Sequence, residues 1–539
     1  GTAVGTGGTN NWILETAGSV TNFIPTDRVL FDDTAAGTGA LTISVATDLQ
    51  PQRVTFNNST RDYALTGPGA LTGGGEFWKT GLGTTVITTN VLLTGGARVF
   101  AGTLQVGTGG TEGNLTGPIV VDAGALLIVN RSDNLTNAEA ITGAGNATKL
   151  GAGRFDAGAA FNLTGNLTVS GGTLAVGAIA RPATVTLAAG TTFAVSSGVN
   201  TATMLVPSLT LPAGGANLQF ELATLSNPTV PLLSVTGTDG LVLAGGAHQL
   251  TIASKGSLGL GAFTLVTYAG ADITSGFTLN ALPQRLIGSL VYNTAAKSID
   301  INITDQTQVL WSGAVDGNWD AGTGVNVGGT LNWIEKANTP GAAPTNFFSG
   351  DKVAFDDSAL LRTVTLNGEI IPSAVAVNSQ FDFTFGGTGT LAPSGTLTKA
   401  GTGRLTLLAS KTSAGLTSLE GGVLQLGDAN NPPTLAGTVT IAAGANLNVV
   451  NGTLAAITTV AASGGLRVDG GIISGALSLA GNADFFGGNL TSVSTLDVGG
   501  TLKLKSTFAG TLTANIVVPT GATLQFEQDA ALRFDKAVS

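Results

Sequence analysis

The chain has 539 residues, a formal net charge of −10 and no cysteine; only 10% of its residues are charged, whereas 80 are glycine. A hydrophobic content of 43% with so few charges argues against disorder, and the lack of any Lys/Arg run argues against nucleic-acid binding. Without disulfides, stability must come from a large or repetitive core. The chain also lacks the run of about 18 apolar residues that would predict membrane insertion.

The two ends of the chain predict a processed product or a segment of a longer protein. The chain begins with "GTAVGTGG", which has neither a Met nor the basic and apolar regions of a signal peptide. It stops on "ALRFDKAVS", in the middle of the strand pattern described below.

A segment near the start of the chain recurs about 320 residues later, a repeat on the scale of whole modules. Asn10–Thr34 contains "NNWILE" and "PTDRVLFDDT", and Leu331–Ser358 contains "LNWIEK" and "SGDKVAFDDS". The correspondence extends through Gly107. We therefore predict a first module at residues 1–305 and a second, truncated copy at residues 306–539.

Short segments in which every second residue is apolar occur along the whole chain, each after a turn of small residues. This alternation places the apolar side chains on one face of a strand, and glycine supplies the turn conformations. Clear examples are Ala123–Asn130, Ala189–Ser196, Gly214–Leu222, Ala443–Val450 and Thr520–Gln528. Because no window has a capped helical apolar stripe, the chain is predicted to be all-β.

One 29-residue stretch occurs three times in register, at Lys79–Gly107, Lys149–Gly177 and Lys399–Gly427. Each copy starts with Lys-x-Gly-x-Gly and ends with glycine, and it contains few reactive side chains. This spacing predicts turns at the corners of stacked coils. The glycines to which we assign this structural role in the first copy are Gly81, Gly83, Gly102 and Gly107.

The strand spacing favours a right-handed parallel β-helix, a β-solenoid rod, over a sandwich or barrel, because strands recur without a closing Greek-key pattern. If each coil has about 20–25 residues, the chain holds about 22–27 coils. With about 4.8 Å between stacked strands, such a rod is about 105–130 Å long.

The segment "LTKAGTGRLTLLASKTSAGLTSLEGGVLQLG" (Leu397–Gly427) resembles the autotransporter-associated β-strand repeat. The larger module is similar to very large repetitive surface proteins of bacteria such as verrucomicrobia and planctomycetes. The segments that carry this second resemblance are "VDGNWD" (Val315–Asp320), "DKVAFDDS" and Leu258–Ile303. The resemblance implies a parallel β-helical protein, secreted or on the cell surface, with an adhesive or structural role.

The paired acids Asp32-Asp33 and Asp356-Asp357 are the strongest candidates for acid/base chemistry. Neighbouring residues of a strand point to opposite faces, so neither pair can form the facing dyad that glycoside hydrolysis requires. Each pair precedes a small-residue turn, and we expect these carboxylates to form the turns; calcium contact is the alternative. No calcium-loop pattern occurs, and no residue is assigned a catalytic, cofactor-binding or metal-binding role.

The remaining candidates are one histidine and five tryptophans. His248 has neither a second His nor a nearby acid, so we interpret it as a turn or coil-surface residue. The tryptophans are Trp12, Trp78, Trp311, Trp319 and Trp333. Most stand at module starts, where packing over a core end is expected, and stacking on a sugar is the alternative. Glycosylation sequons are frequent and include Asn58, Asn114, Asn134, Asn162, Asn166, Asn302 and Asn489; chance explains most of them in a Thr-rich chain.

These observations favour a non-catalytic structural or adhesive protein that forms or extends a fibre on the bacterial cell surface. A carbohydrate-binding adhesin and a polysaccharide-acting β-helix enzyme are the alternatives. Since solenoids expose unpaired strand edges at their ends, we expect head-to-tail self-association or tandem modules of one very long chain. A surface polysaccharide is a further expected partner.

Overall fold

The computed structural model describes residues 11–37, 39–197, 202–222, 227–254, 258–321, 329–335, 344–491, 494–496, 499–505, 513 and 515–527. Both terminal sequences discussed above, "GTAVGTGG" and "ALRFDKAVS", lie outside these residues. Within the described ranges the regular structure is β-strand apart from one 3-10 turn at Pro283–Arg285. The described part of the chain has no helix of the length and apolarity that a membrane crossing requires.

The chain forms two compact units. Unit 1 comprises residues 1–254, 259–283 and 288–303, and unit 2 comprises residues 255–258, 284–287 and 304–539. Most strands of each unit pair in parallel with the strand one coil earlier and the strand one coil later.

Three parallel sheets form most of unit 1. Sheet A contains Arg28–Asp32, Arg53–Asn57, Glu76–Thr80, Ala97–Val99, Ile119–Val121, Ile141–Gly143 and Phe161–Leu163. Sheet B contains Leu41–Ser44, Tyr63–Thr66, Thr84–Ile87, Thr103–Val106, Leu126–Asn130, Asn146–Leu150, Asn166–Val169, Thr184–Leu187, Ser208–Leu211 and Leu241–Leu243. Sheet C contains Leu135–Thr136, Arg154–Asp156, Thr173–Gly177, Thr192–Ser197, Asn217–Leu222, His248–Ser254 and Phe277–Leu279.

Smaller sheets complete the first part of the chain. An antiparallel hairpin consists of Trp12–Ile13 and Val20–Thr21. A three-stranded parallel sheet contains Ala70–Gly73, Asn90–Leu93 and Asn114–Leu115. A five-stranded sheet contains Met204–Val206, Leu233–Thr238, Gly261–Ala269, Leu286–Asn293 and Ser298–Gln306.

Unit 2 has two long sheets. Sheet D contains Gln308–Trp311, Trp333–Glu335, Pro344–Thr345, Lys352–Phe355, Glu369–Ile370, Ala374–Asn378, Thr390–Leu391, Thr396–Ala400, Lys411–Leu419, Thr434–Ile441, Thr453–Leu454, Ile457–Val460, Ile472–Ile473, Leu477–Leu479, Asn489–Leu490, Ser494–Leu496 and Ile516–Val517. Sheet E contains Asn318–Asp320, Thr363–Asn367, Phe383–Gly386, Arg404–Leu407, Val423–Leu426, Asn446–Val450, Gly465–Asp469, Asn482–Phe485, Thr501–Leu504 and Thr523–Phe526.

The predicted all-β parallel solenoid is confirmed, with about 21 turns. The sequence-based estimate of coil number was slightly high because coil length varies more than assumed. Hydrogen-bonded neighbours on successive coils are 18 residues apart between Asn166 and Thr184 but 32 apart between Ser208 and Gly240. The extra residues lie between strands, so the strand register is preserved.

The core of each unit is a set of ladders of like residues. Because parallel pairing sets each residue above its counterpart in the previous coil, the inward position of sheet E repeats without interruption. This ladder runs through Phe383, Leu405, Leu424, Leu447, Leu466, Ala483 and Leu502, all at most 2% exposed. Full burial of one such apolar side chain stabilises the fold by about 1.5–3 kcal/mol.

The repeat glycines stand where coils approach most closely, which confirms their structural role. A Cβ at Gly81, Gly83, Gly102 or Gly107 would lie 2.4–2.7 Å from an atom of a neighbouring coil. Gly401, the counterpart of Gly81 in the third copy, has a φ of +73°, and a Cβ there would meet the Ser379 carbonyl oxygen at 2.4 Å.

Gly401→Ala should destabilise unit 2 far more than Gly444→Ala. Gly444 has a φ of +79° but nothing within 4 Å of a built Cβ, so alanine there meets only the left-handed backbone cost, about 1–2 kcal/mol. At Gly401 the backbone clash adds to that cost, and we expect a total of about 3 kcal/mol or more. Urea denaturation of both variants measures the difference; equal losses would show that the close approach of the coils is not limiting.

Candidate functional site: lysine clamps, turn-forming acids and an outward arginine–aromatic ladder

The lysine that begins the 29-residue repeat is buried within the turn it precedes. Lys79 is fully buried, and its Nζ donates to the carbonyl oxygens of Thr80 and Gly81, both at 2.6 Å. It also donates to the carbonyl oxygen of Ala101, 22 residues later in the chain, at 3.3 Å. One ammonium group therefore joins two successive coils at a corner.

The same arrangement recurs in the other two copies of the repeat. Lys399 Nζ donates to the carbonyls of Ala400, Gly401 and Gly421 at 2.6, 3.0 and 3.2 Å. Lys149 Nζ donates to the carbonyls of Leu150, Gly151 and Gly171, the last of which is again 22 residues ahead. We call Lys79, Lys149 and Lys399 the lysine clamps.

The clamp geometry matches the charged form of lysine, because an ammonium group has three donors and no acceptor. Burial lowers the pKa of both Lys79 and Lys149 to about 8, and it also lowers the pKa of Lys399. The first two groups therefore keep their protons at neutral pH, and their three N–H bonds are directed at carbonyl oxygens. This makes them structural links between coils rather than bases or nucleophiles.

The burial of these lysines could have been predicted from the alternation of their strands. Residues of a strand alternate between faces, so Lys79 shares the inward face with Phe77, and Lys399 shares it with Leu397. The position of the lysine in the alternation, rather than its charge, predicts where it lies.

The acids of the first pair form turns, as predicted. Asp32 Oδ1 accepts hydrogen bonds from the N–H and hydroxyl of Thr34 at 2.9 and 2.6 Å, within its own turn. The Asp33 carboxylate instead accepts from the N–H groups of Ser59 and Thr60 on the next coil, at 3.0–3.3 Å. Donation by the Ser59 N–H holds the pKa of Asp33 below its usual value.

The second pair repeats this division of roles. Asp356 Oδ1 accepts from the N–H and hydroxyl of Ser358 at 2.9 and 2.6 Å. Asp357 Oδ1 accepts from the Ser379 hydroxyl at 2.6 Å and the Gln380 N–H at 2.8 Å, which lowers its pKa. In the described part of the chain, no three His, Cys, Asp or Glu residues come together in a way that could hold a metal ion.

The expectation that His248 is a turn or coil-surface residue is wrong. His248 begins the strand His248–Ser254 and is fully buried, on the same inward face as Leu250 and Ile252. Its Nε2 lies 2.9 Å from the carbonyl oxygen of Ala244. The strand alternation starts at the histidine itself, and this parity carries the imidazole inward.

The packing interpretation of the tryptophans is confirmed at the start of unit 2. Trp311, Trp319 and Trp333 are at most 1% exposed and make edge-to-face contacts with centroid distances of 5.1–5.3 Å. Phe347 and Phe355 complete the cluster. Since these indoles are enclosed by other rings, they are not available to a sugar.

Trp78 differs from these three because it is only half-buried and lies on the outer face of sheet A. Arg53 covers its ring at 3.4 Å, and the Phe100 ring lies 5.2 Å away. Arg98 in turn covers the Phe100 ring at 4.5 Å. Trp12 is also half-buried and contacts Phe31 at 5.3 Å.

These outer residues form a ladder that the sequence alone did not reveal. Its cations pair with acids of the next coil, Arg53 with Glu76 at 2.9 Å and Arg98 with Asp122 at 3.1 Å. Unit 2 has a comparable stack in which Arg467 lies 3.9 Å from the Phe486 ring. Such cation–π pairs are worth about 0.5–1 kcal/mol each at exposed sites, so the ladders add to coil stacking.

The sequons named above differ in their surroundings. Asn162 and Asn166 are exposed on their coils, whereas Asn58 is fully buried and donates from its amide nitrogen to the carbonyls of Arg61 and Thr84. Asn58 is therefore a turn residue and not a glycan acceptor in the folded chain.

One curated protein is similar to part of this chain. It is named "Adhesin BmaC autotransporter", from Brucella suis biovar 1 (strain 1330), and it is 39% identical over 123 residues, which cover 21% of this chain. The matched residues span only 4% of that protein's length. No known family model matches the chain, and no solved structure matches it.

Lys79→Met should lower the free energy of unfolding by about 1–3 kcal/mol, because methionine fills similar space but leaves the clamp carbonyls without a donor. The matched control is Lys411→Met, since Lys411 is exposed on a strand of unit 2. Urea denaturation of the two variants measures this. Equal stability would show that the clamp carbonyls are satisfied without the lysine.

The clamp also predicts a pH dependence of stability. The pKa of Lys79 is about 8 in the folded chain and 10.5 in its ordinary state, so between these values the unfolded chain holds more protons. Stability contributed through this group should therefore rise with pH across that range. The difference in unfolding free energy between wild type and Lys79→Met should grow from about pH 8 to 10.5. Parallel pH profiles of stability for wild type and Lys79→Met would contradict a lowered pKa of Lys79.

Proposed function

We propose that this protein is a non-catalytic structural or adhesive β-solenoid of the bacterial cell surface. The observation that carries the proposal is the use made of its ionisable residues. The lysine clamps bind backbone carbonyls, and the paired acids bind the N–H groups of turns. These groups stabilise stacked coils, and their lone pairs and protons are engaged by the backbone.

The comparison with the Brucella protein supports the adhesive part of the proposal, since the matched protein is named an adhesin autotransporter. It also supports an extracellular or cell-surface location. The resemblance to repetitive verrucomicrobial and planctomycete surface proteins remains part of the proposal. A fibre built by head-to-tail contacts or by tandem modules is the assembly we infer for such a protein.

Carbohydrate binding is the second candidate, and the outward ladder is the observation that favours it. Trp78 and Phe100 are half-buried aromatics next to paired charges, which is the composition of many sugar-binding surfaces. Arg53, however, already occupies a face of the Trp78 ring. A sugar would have to displace this guanidinium or bind at the Phe100 end, where Arg98 is about half-exposed.

The proposed function is tested with the purified chain immobilised on beads. The coated beads should retain cells or polysaccharide-coated particles against flow, while the soluble polysaccharide gains no new reducing ends. Bound particles together with a rise in reducing ends, abolished by Asp33→Asn or Asp357→Asn, would overturn the non-catalytic assignment. Failure to retain any particle would overturn the adhesive part.

The carbohydrate alternative makes a separate prediction. Phe100→Ala with Arg98→Ala should reduce retention of polysaccharide-coated beads at least tenfold if the ladder binds sugar. The matched control is the stack in unit 2, changed by Phe486→Ala with Arg467→Ala. Equal retention by wild type and both double variants would assign adhesion to another surface.

A further inference from the structure

The first coils of the two units are built from corresponding segments, but they are not equally complete. Val20–Thr34 aligns without a gap with Pro344–Ser358, and both segments begin with the second strand of an antiparallel hairpin. The first hairpin strand is Trp12–Ile13 in unit 1 and Trp333–Glu335 in unit 2. The same local structure can therefore be compared with and without its neighbours.

In unit 2, a strand lies between the hairpin and the first full coil. Gln308–Trp311 pairs antiparallel with the hairpin strand, with Trp311 opposite Trp333. On its other edge it pairs in parallel with Lys352–Phe355. A second short strand, Asn318–Asp320, pairs with Thr363–Asn367 at the end of sheet E.

In unit 1, these positions have no occupant among the described residues. The hairpin forms a two-stranded sheet by itself, and Arg28–Asp32, the counterpart of Lys352–Phe355, is the end strand of sheet A. Leu41–Ser44 is likewise the end strand of sheet B. We call this gap, bordered by Trp12–Ile13, Arg28–Asp32 and Leu41–Ser44, the open slot.

The apolar residues that border the open slot are exposed where their counterparts are buried. Trp333, Phe347 and Phe355 are at most 1% exposed in unit 2. The corresponding Trp12, Phe23 and Phe31 are only half-buried. Leu30 is 42% exposed, whereas its counterpart Ala354 is 6% exposed. Unit 1 thus presents an apolar patch of the composition that unit 2 covers with Trp311 and Trp319.

An asparagine provides an independent polar observation. Asn332 is fully buried in unit 2, and its Oδ1 accepts from the N–H groups of Val315 and Asp316, both at 3.0 Å. Its Nδ2 donates to Asp316 Oδ1 at 2.7 Å and to the Asn318 carbonyl at 2.9 Å. The side chain thereby holds the segment that joins the two added strands. The counterpart in unit 1 is Asn11, which is exposed.

Unit 1 also keeps the acceptors of a guanidinium site. In unit 2, Arg285 forms an ion pair with the buried Asp351 and donates to Thr345 Oγ1 and the Asn346 carbonyl at 2.7 and 3.0 Å. The corresponding acceptors of unit 1 are Thr21, Asn22 and Asp27. Within the described ranges, Asp27 accepts from the Ile24 N–H but forms no ion pair.

We propose that the open slot binds a polypeptide segment with the chemistry of Thr304–Asp320, supplied by another module of the same type. Such a segment would add one strand between the hairpin and sheet A, a second strand to sheet B, and two indoles over the exposed apolar patch. The proposal deepens the fibre part of the proposed function, because it names the contact that joins modules.

A second copy of this chain is not the favoured source of that segment. In unit 2, Trp311 and Trp319 are fully buried, and the segment is paired on both edges. To reach another chain it would have to leave its own core. A module whose corresponding segment is not already paired on both edges can supply the strand without unfolding its own core.

The test uses the full 539-residue chain and a fluorescent peptide of residues Thr304–Ala321, followed by fluorescence anisotropy. Saturable binding is expected. It should weaken at least tenfold for a peptide with Trp311→Ser and Trp319→Ser, and at least tenfold for the chain variant Asn11→Ala. The matched control Asn90→Ala changes an exposed strand residue of unit 1 and should bind like wild type. No saturable binding, or equal affinity of the two chain variants, would overturn the proposal.

Hydrogen exchange provides the second measurement, because it shows where on the chain the peptide binds. Asn11→Ala is suited to this comparison because it alters only an exposed side chain. Peptide binding should slow exchange of amides in Trp12–Ile13 and Arg28–Asp32 and leave sheet E unchanged. Dimers of the chain alone that the peptide dissociates would instead identify a second copy as the occupant. Peptide binding by a chain whose coated beads retain no particle would contradict the adhesive function and leave the slot intact, so the two failures are distinguishable.

Discussion

Parallel backbone pairing between successive coils is the constraint on which the rest of this structure depends. It sets each residue above the residue at the same position of the previous coil, so one side-chain choice is repeated along a ladder. Leucine ladders then form a continuous core, and glycine at a corner lets neighbouring backbones approach. The same stacking brings a lysine ammonium within reach of the carbonyls of its own turn and of the next coil. Composition follows from this geometry, because small and apolar residues satisfy the stacked inward positions, and the inward lysines lie where backbone carbonyls accept their hydrogen bonds.

The fold could be predicted largely from alternation and turn residues, because both act within one coil. The missed features were those in which residue type and strand position disagree. No position was predicted for Lys79, and His248 was predicted to lie in a turn or at the coil surface, but the parity of their strands places both side chains inward. The turn-forming role was predicted correctly for Asp32 and Asp356, whose bonds are local, whereas the bonds of Asp33 to the next coil depend on the stacking. Coil number was overestimated since the residues between strands are not constrained by the stacking.

The side-chain contacts between coils could not be predicted from the sequence, for a different reason. The cation–π pair of Arg53 and Trp78 joins residues that pairing brings together from separate strands, and it depends on a register that only the folded chain shows. The open slot also required two structures of one motif to be compared. The tryptophans of unit 2 were expected to pack, but the difference in exposure between Trp333 and its counterpart Trp12 became informative only when the paired strands were known. In such a protein, the informative features are the unpaired strand edges and the contacts that repeat between coils, rather than a single cleft.

The lysine clamps give the solenoid an uneven mechanical profile. Each clamp ties a corner to the corner 22 residues farther along the chain, so a force that peels coils from one end must break an ammonium–carbonyl bond at that point in addition to the backbone pairing. The peptide ladders between clamps can open one coil at a time. Under load, the corners that carry a clamp should therefore resist separation more than the corners between them, so resistance along the stacked coils follows the placement of Lys79, Lys149 and Lys399.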